Sequence, residues 1–343
     1  MTETESKEKR HFKVLAIDGG GIKGLFSAQV LAKFEEVFAT KVTDCFDLIC
    51  GTSTGGIIAL GASLGIPMKD VVRFYEEKGP AIFAESSKKT CIGKIRFLLR
   101  QVGLFGKYDS KELEGALKEV FGEKTMADCN NLMCIPAYNL NSARGRVFKK
   151  DCNQFTEDNS KLCVDVALAT AAAPTYLPVK EIDGDQFVDG GVWANNPSVV
   201  GFNEYLYQFA NDERFDGVEI LSISSCEVAK GAIHKKTKRG FIRWASTLFD
   251  VFMNGQASST LFYMNNLKGK LNFYYDYQRV CNDALSPEQA KIIDMDNASP
   301  KSIEILKSLG NDTAINAKMH KEIASFFKTN SSLIFPVPKR PWQ

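Results

Sequence analysis

The sequence predicts an α/β fold built on a mainly parallel sheet, because two strand–helix units follow one another near the N-terminus and each turns through glycines. The first strand is the apolar run Phe12-Lys13-Val14-Leu15-Ala16-Ile17, ended by Asp18 and three glycines. Leu25, Ala28, Leu31, Phe34 and Phe38 then recur at helical spacing, which predicts a helix from about Lys23 to Phe38. A second strand, Phe46 to Cys50, leads through Gly51-Thr52-Ser53-Thr54-Gly55 into an apolar helix, Gly56 to Leu64, stopped near Gly65 and Pro67. Strands that alternate with helices in this way pair in parallel.

The remaining elements follow in order. Helical patterns run from Met68 to Gly79, from Ile92 to Gln101, and from Asp109-Ser110 to Phe121. Strands are expected at Leu132–Tyr138 and Val147–Lys149, and an alanine-rich helix at Val164–Ala173 ends before Pro174. A short strand, Gln186-Phe187-Val188, leads into Asp189-Gly190-Gly191, and another spans Val218–Ser222. Beyond this the pattern changes. Lys235, Lys236, Lys238 and Arg239 form a basic cluster, and Phe241 to Met264 is rich in large apolar residues at helical spacing. Phe273-Tyr274-Tyr275 favours a strand. Ser302 to Phe327 reads as a final helical stretch, and Leu333 to Pro338 as extended chain. With no internal repeat or low-complexity linker, the chain reads as a polar tail (1–11), an α/β domain (12–225) and a mostly helical C-terminal part (226–343) packed on that domain.

Composition narrows the function. A net charge of +2 over 343 residues gives no reason to expect DNA or RNA as a partner. Nine cysteines, several inside apolar runs and none in a Cys-x-x-Cys pair, read as reduced thiols in a cytoplasmic protein. The N-terminus lacks the apolar core of a signal peptide, and no run of about twenty apolar residues is present, so a membrane would be met from its surface. The three histidines, His11, His234 and His320, are dispersed, and neither a metal site nor a cofactor is expected.

Three motifs carry chemistry. Asp18-Gly19-Gly20-Gly21-Ile22-Lys23-Gly24 sits between a strand and a helix, where glycine amides can point into open space at the positive end of a helix. Such a nest binds phosphate or stabilises an oxyanion. Leu25 after Gly24 excludes a P-loop, and the second strand ends in Cys50 rather than the acidic residue of a dinucleotide site, so the oxyanion hole is favoured. Gly51-x-Ser53-x-Gly55, between a strand and an apolar helix, fits a turn that lifts a serine hydroxyl clear as a nucleophile; the bland alternative is a helix N-cap. Asp189-Gly190-Gly191 is either an ordinary turn or the source of the base that Ser53 needs. A carboxylate gains basicity when a dry pocket takes its solvation away.

The glycine loop, the serine pentapeptide and the Asp-Gly-Gly turn, in this order from about Phe12 to Ser225, resemble the patatin-like phospholipases. The resemblance implies a three-layer sandwich with a helical C-terminal extension and a catalytic Ser53/Asp189 dyad. It also implies an oxyanion loop of Gly19, Gly20, Gly21, Lys23 and Gly24, in which Lys23 stands where arginine is common and keeps the charge but loses the planar fork. Phe273 to Val280 and Ile292-Ile293-Asp294-Met295-Asp296 are similar to bacterial effectors of cyclic-oligonucleotide antiphage signalling (CBASS). This implies membrane phospholipids as substrate, reached at the inner membrane surface, and a cyclic dinucleotide as activator. A homo-oligomer is left open. The competing reading is a nucleotide-sensing module in which the glycine loop binds phosphate and Ser53 is only a cap.

Overall fold

The computed structural model describes residues 9–83, 110–228 and 241–328, with the backbone alone for 241–250. The expected helix at 92–101, the basic cluster at 235–239 and the extended segment at 333–338 lie outside the described residues.

One eight-stranded sheet organises the chain. Its strands are β1 (Arg10–Ile17), β2 (Leu48–Gly51), β3 (Leu132–Asn139), β4 (Arg144–Lys149), β5 (Lys180–Ile182), β6 (Asp185–Asp189), β7 (Phe215–Ile223) and β8 (Tyr274–Val280). They lie in the order β5-β6-β3-β2-β1-β7-β8, with β4 also paired to β3. The run from β3 through β8 is parallel, whereas β4, β5 and β6 add antiparallel pairings.

Alternation along β1 divides the core in two, as a sheet covered on both faces requires. Leu15 and Ile17 join one apolar cluster. It holds side chains of α1 (Gly24–Phe38), α2 (Thr54–Ser63), α3 (Met68–Ile82), α4 (Ser110–Phe121) and α5 (Cys163–Ala171). Phe12, Val14 and Ala16 join another, with Phe202 and Tyr205 of a helix at Ser198–Gln208 and Met264 of a helix at Phe241–Leu267. The result is a three-layer α/β sandwich. The C-terminal residues extend it: β8 pairs in parallel with β7, and helix Pro300–Ala317 packs along α1.

One departure from the expected elements has a local cause. The helical stretch 302–327 is two helices, Pro300–Ala317 and Lys321–Phe326, because His320 takes an extended conformation between them. The break brings Phe327 onto Phe34 and Phe38, with ring centroids 4.8 Å away in each case. Helix Ser198–Gln208 and strand β5 were not expected from the sequence.

Phe12 is fully buried and stacks on Phe209 at 4.7 Å while meeting Phe215 edge-on at 5.1 Å. Phe12→Ala should therefore cost about 3–5 kcal/mol of stability. Denaturant unfolding would show it as a lower midpoint with an unchanged slope.

Candidate active site

Register places the motifs together. Ile17 at the end of β1 lies opposite Gly51 at the end of β2 and Ile223 at the end of β7. The glycine loop, the serine turn and the segment Ser224–Cys226 therefore leave the sheet at one edge, the carboxyl edge where parallel α/β sheets form their crevices.

Ser53 has φ 56° and ψ −126°, an uncommon conformation for a residue with a side chain. The turn is compressed against the neighbouring strand: a Cβ on Gly55 would overlap the carbonyl oxygens of Ile17 and Asp18. Although Ser53 stands at the N-cap position of α2, its side chain makes no capping bond. Its amide donates to Thr170 Oγ1 at 3.0 Å, and the Thr170 hydroxyl donates to Pro136 O at 2.5 Å. The hydroxyl of Thr52 is tied to Ala194 O at 2.6 Å.

Asp189 arrives on β6, which runs antiparallel to β3 and places Asp189 beside Ala137. It is fully buried. Oδ1 accepts the Gly191 amide at 2.7 Å, while Oδ2 has no hydrogen-bond partner of standard geometry among the described residues. Burial pushes the Asp189 carboxyl up to about 7; the adjacent Ser53 hydroxyl and the Gly191 amide pull it back only in part. Gly190 continues the turn, its amide donating to Thr170 O at 3.3 Å.

The expected oxyanion residues divide into two groups. Gly19 donates its amide to Asn195 O at 3.1 Å, Lys23 to Gly20 O at 3.2 Å, and Gly24 to the carbonyls of Gly21 and Ile22. The amides of Gly20 and Gly21 have no partner among the described residues. Gly21 has φ +62°, and a Cβ there would run into the carbonyl of Met295, which accepts the Ile22 amide at 2.8 Å. The Lys23 ammonium reaches Cys226 O at 3.3 Å.

Behind the loop stands a buried ion pair that the sequence reading missed. Arg279 of β8 grips Asp18 through two bonds of 2.9 and 2.6 Å, bonds the Ser222 hydroxyl at 2.7 Å and pairs with Glu227 at 2.9 Å. Burial pushes the Asp18 carboxyl up, but the bidentate guanidinium beside it favours the charged form, and we read the two as an ion pair. Ser225 completes the support, its hydroxyl donating to Gly19 O at 2.7 Å. No local pattern joins Asp18 to Arg279.

An apolar pocket opens beside Ser53, walled by Ile57, Phe74, Ile82, Leu113, Leu177 and Met295 among others. A larger surface cleft at the far end of α1, bordered by Lys33, Lys41 and Lys69, holds none of the three motifs.

With this geometry in place, the comparisons decide the family. Residues 15–199 match the patatin-like phospholipase family. The chain is a patatin-like phospholipase. Its family is one of serine lipid acyl hydrolases. A cGAMP-activated phospholipase from Pseudomonas aeruginosa (strain BWHPSA011 / Pa011) is 35% identical, over 89% of this chain and 89% of the relative. A protein of the same description from Vibrio cholerae is 31% identical, over 93% and 95%. Among solved structures, human GIVD cytosolic phospholipase A2 aligns with a TM-score of 0.44 at 11% identity, over 93% of this patatin-like phospholipase and 60% of the human chain.

Two predictions follow from the buried carboxylates. An unfolded aspartate loses its proton near 3.8 and Asp189 holds its proton to about 7, so between these values the folded state binds more protons and stability falls as pH rises. Asp189→Asn should then raise the melting temperature at pH 8 and leave it nearly unchanged at pH 4; equal shifts at both would show that desolvation of the charge is not the cause. Arg279→Met should destabilise by about 3–5 kcal/mol by stranding Asp18, and Asp18→Asn in the same chain should recover most of the loss. Calorimetric melting of the three proteins reads this out.

Proposed function

We propose that this enzyme is a phospholipase A-type lipid acyl hydrolase with a Ser53/Asp189 dyad, switched on by a cyclic dinucleotide in antiphage defence. The observation that carries the dyad is the burial of Asp189 beside Ser53 with one carboxylate oxygen open. A serine hydroxyl needs a proton acceptor poised near the working pH, and a carboxyl raised to about 7 meets that need without histidine.

In the first half-reaction Ser53 Oγ attacks the ester carbonyl and its proton passes to Asp189. The amides of Gly20 and Gly21 face the developing oxyanion, the part of the loop not already committed to internal bonds. Asp189 returns the proton to the leaving lysolipid oxygen, and the acyl group stays on Ser53. Water then releases the fatty acid with Asp189 again as base. The apolar pocket beside Ser53 receives the acyl chain.

Activation by a cyclic dinucleotide is supported by the description of the relatives from Pseudomonas aeruginosa and Vibrio cholerae as cGAMP-activated. No helix among the described residues is long and apolar enough to cross a membrane. Contact with the cytoplasmic leaflet would then be peripheral, and the exposed Val251, Phe252, Phe262 and Tyr263 on one long helix suit it. The alternative, a phosphate-binding loop with Ser53 as a cap, has less support because the Ser53 side chain caps nothing.

Mass-spectrometric assay of phospholipid hydrolysis, with and without a panel of cyclic dinucleotides, tests the whole reading. Ser53→Ala should abolish turnover, and Asp189→Asn should lower it roughly 10²–10⁴-fold. Wild-type activity should climb with pH through about 7 as Asp189 ionises. Turnover that survives Ser53→Ala would remove the dyad; rates indifferent to every cyclic dinucleotide would remove the activation.

A further inference from the structure

Asn195 lies just past the Asp-Gly-Gly turn and belongs to none of the three motifs. Its backbone carbonyl holds the Gly19 amide, and the residue is only 5% exposed. Oδ1 of that side chain has no hydrogen-bond partner among the described residues.

Two glycines bracket the position of this oxygen. It lies 2.5 Å from the point that a Cβ on Gly19 would occupy, and Ser53 Cβ lies 3.1 Å from the same point. It also lies 3.2 Å from the point for a Cβ on Gly191, where Asp189 Oδ1 is 3.0 Å away. The carboxamide oxygen therefore lies close to both the serine and the aspartate. Asp189 Oδ2, on the same carboxylate, is a second buried acceptor with no partner of standard geometry among the described residues, and acylation removes the Ser53 hydroxyl proton beside it. Acceptors buried unbonded are costly, and two on neighbouring side chains are best met by a ligand with two donors. The ester group brings only acceptors to that space. The reactant with two donors is water, which the second half-reaction consumes.

We propose that Asn195 Oδ1 and Asp189 Oδ2 together hold the hydrolytic water, which makes Asn195 a catalytic residue of deacylation. The proposal rests on the Ser53/Asp189 reading. Acylated Ser53 has no proton to offer Asp189, so one water O–H donates to Asp189 Oδ2 and the other to Asn195 Oδ1. The water oxygen attacks the acyl carbon and its first proton passes to Asp189. Collapse of the intermediate breaks the bond from the acyl carbon to Ser53 Oγ, and Oγ takes the proton from Asp189. The second proton leaves with the carboxylic acid.

Methanol separates this role from a structural one, because it has a single O–H and can use Asp189 alone. With a fluorogenic ester under activating conditions, Asn195→Ala should raise the ratio of methyl ester to free acid about tenfold, the worth of one hydrogen bond. Intact-mass spectra should show acyl-enzyme accumulating, while fluorophosphonate still labels Ser53 at the wild-type rate. An unchanged ratio in Asn195→Ala, or labelling and hydrolysis slowed together, would overturn the proposal while leaving the dyad standing. Wild-type protein that fluorophosphonate fails to label would overturn the dyad and this proposal with it.

Discussion

A carboxylate buried with no charged partner among its described neighbours is the constraint on which the candidate active site depends. Asp189 is shielded from water, its Oδ1 satisfied by one backbone amide and its Oδ2 left open. Such a group costs stability whenever it is ionised, and the fold must hold it there by other means. Those means are the pairing of β6 with β3, and the amides of Asp189 and Gly190 donating to Ala172 O and Thr170 O. The raised basicity of Asp189 and its cost to the fold have one physical origin.

The neighbouring motifs are joined through shared residues rather than through direct contact alone. Thr170 bonds the Ser53 amide through its hydroxyl and the Gly190 amide through its carbonyl. Ala194 accepts from Thr52, and Asn195 accepts from Gly19. A disturbance of any one turn is thus passed to the others by hydrogen bonds of fixed direction. On the far side, Arg279 secures the residue that opens the glycine loop, and Ser225 secures the next. These last contacts come from β8 and from the segment after β7, so residues late in the chain contribute to the geometry of the glycine loop.

Much of this was legible in the sequence. Glycine-rich turns between apolar runs marked where strands end, and side chains of strongly periodic helices such as α1 and α3 marked one face of the core. Local chemistry also singled out Ser53 and Asp189 as candidates, because the three histidines are scattered and the Asp-Gly-Gly turn offers a carboxylate. Helix Ser198–Gln208 was missed because it follows the Asp-Gly-Gly turn almost at once and its apolar face is interrupted by glycine and polar residues. The continuous reading of 302–327 failed because only packing of Phe327 against Phe34 and Phe38 reveals the value of a break at His320.

The sequence by itself laid out most of the strands, turns and helices in order and singled out Ser53 and Asp189 as candidate nucleophile and base, since these depend on periodicity and residue chemistry within short windows. Tertiary structure decided what depends on distance between windows. The antiparallel direction of β6 delivers Asp189 to Ser53, and the β1–β7–β8 register sets Arg279 against Asp18. Tertiary bonding also leaves the amides of Gly20 and Gly21 without partners among the described residues and buries the open oxygen of Asn195. Burial and hydrogen-bond satisfaction are properties of an assembled surface, and no local pattern encodes them.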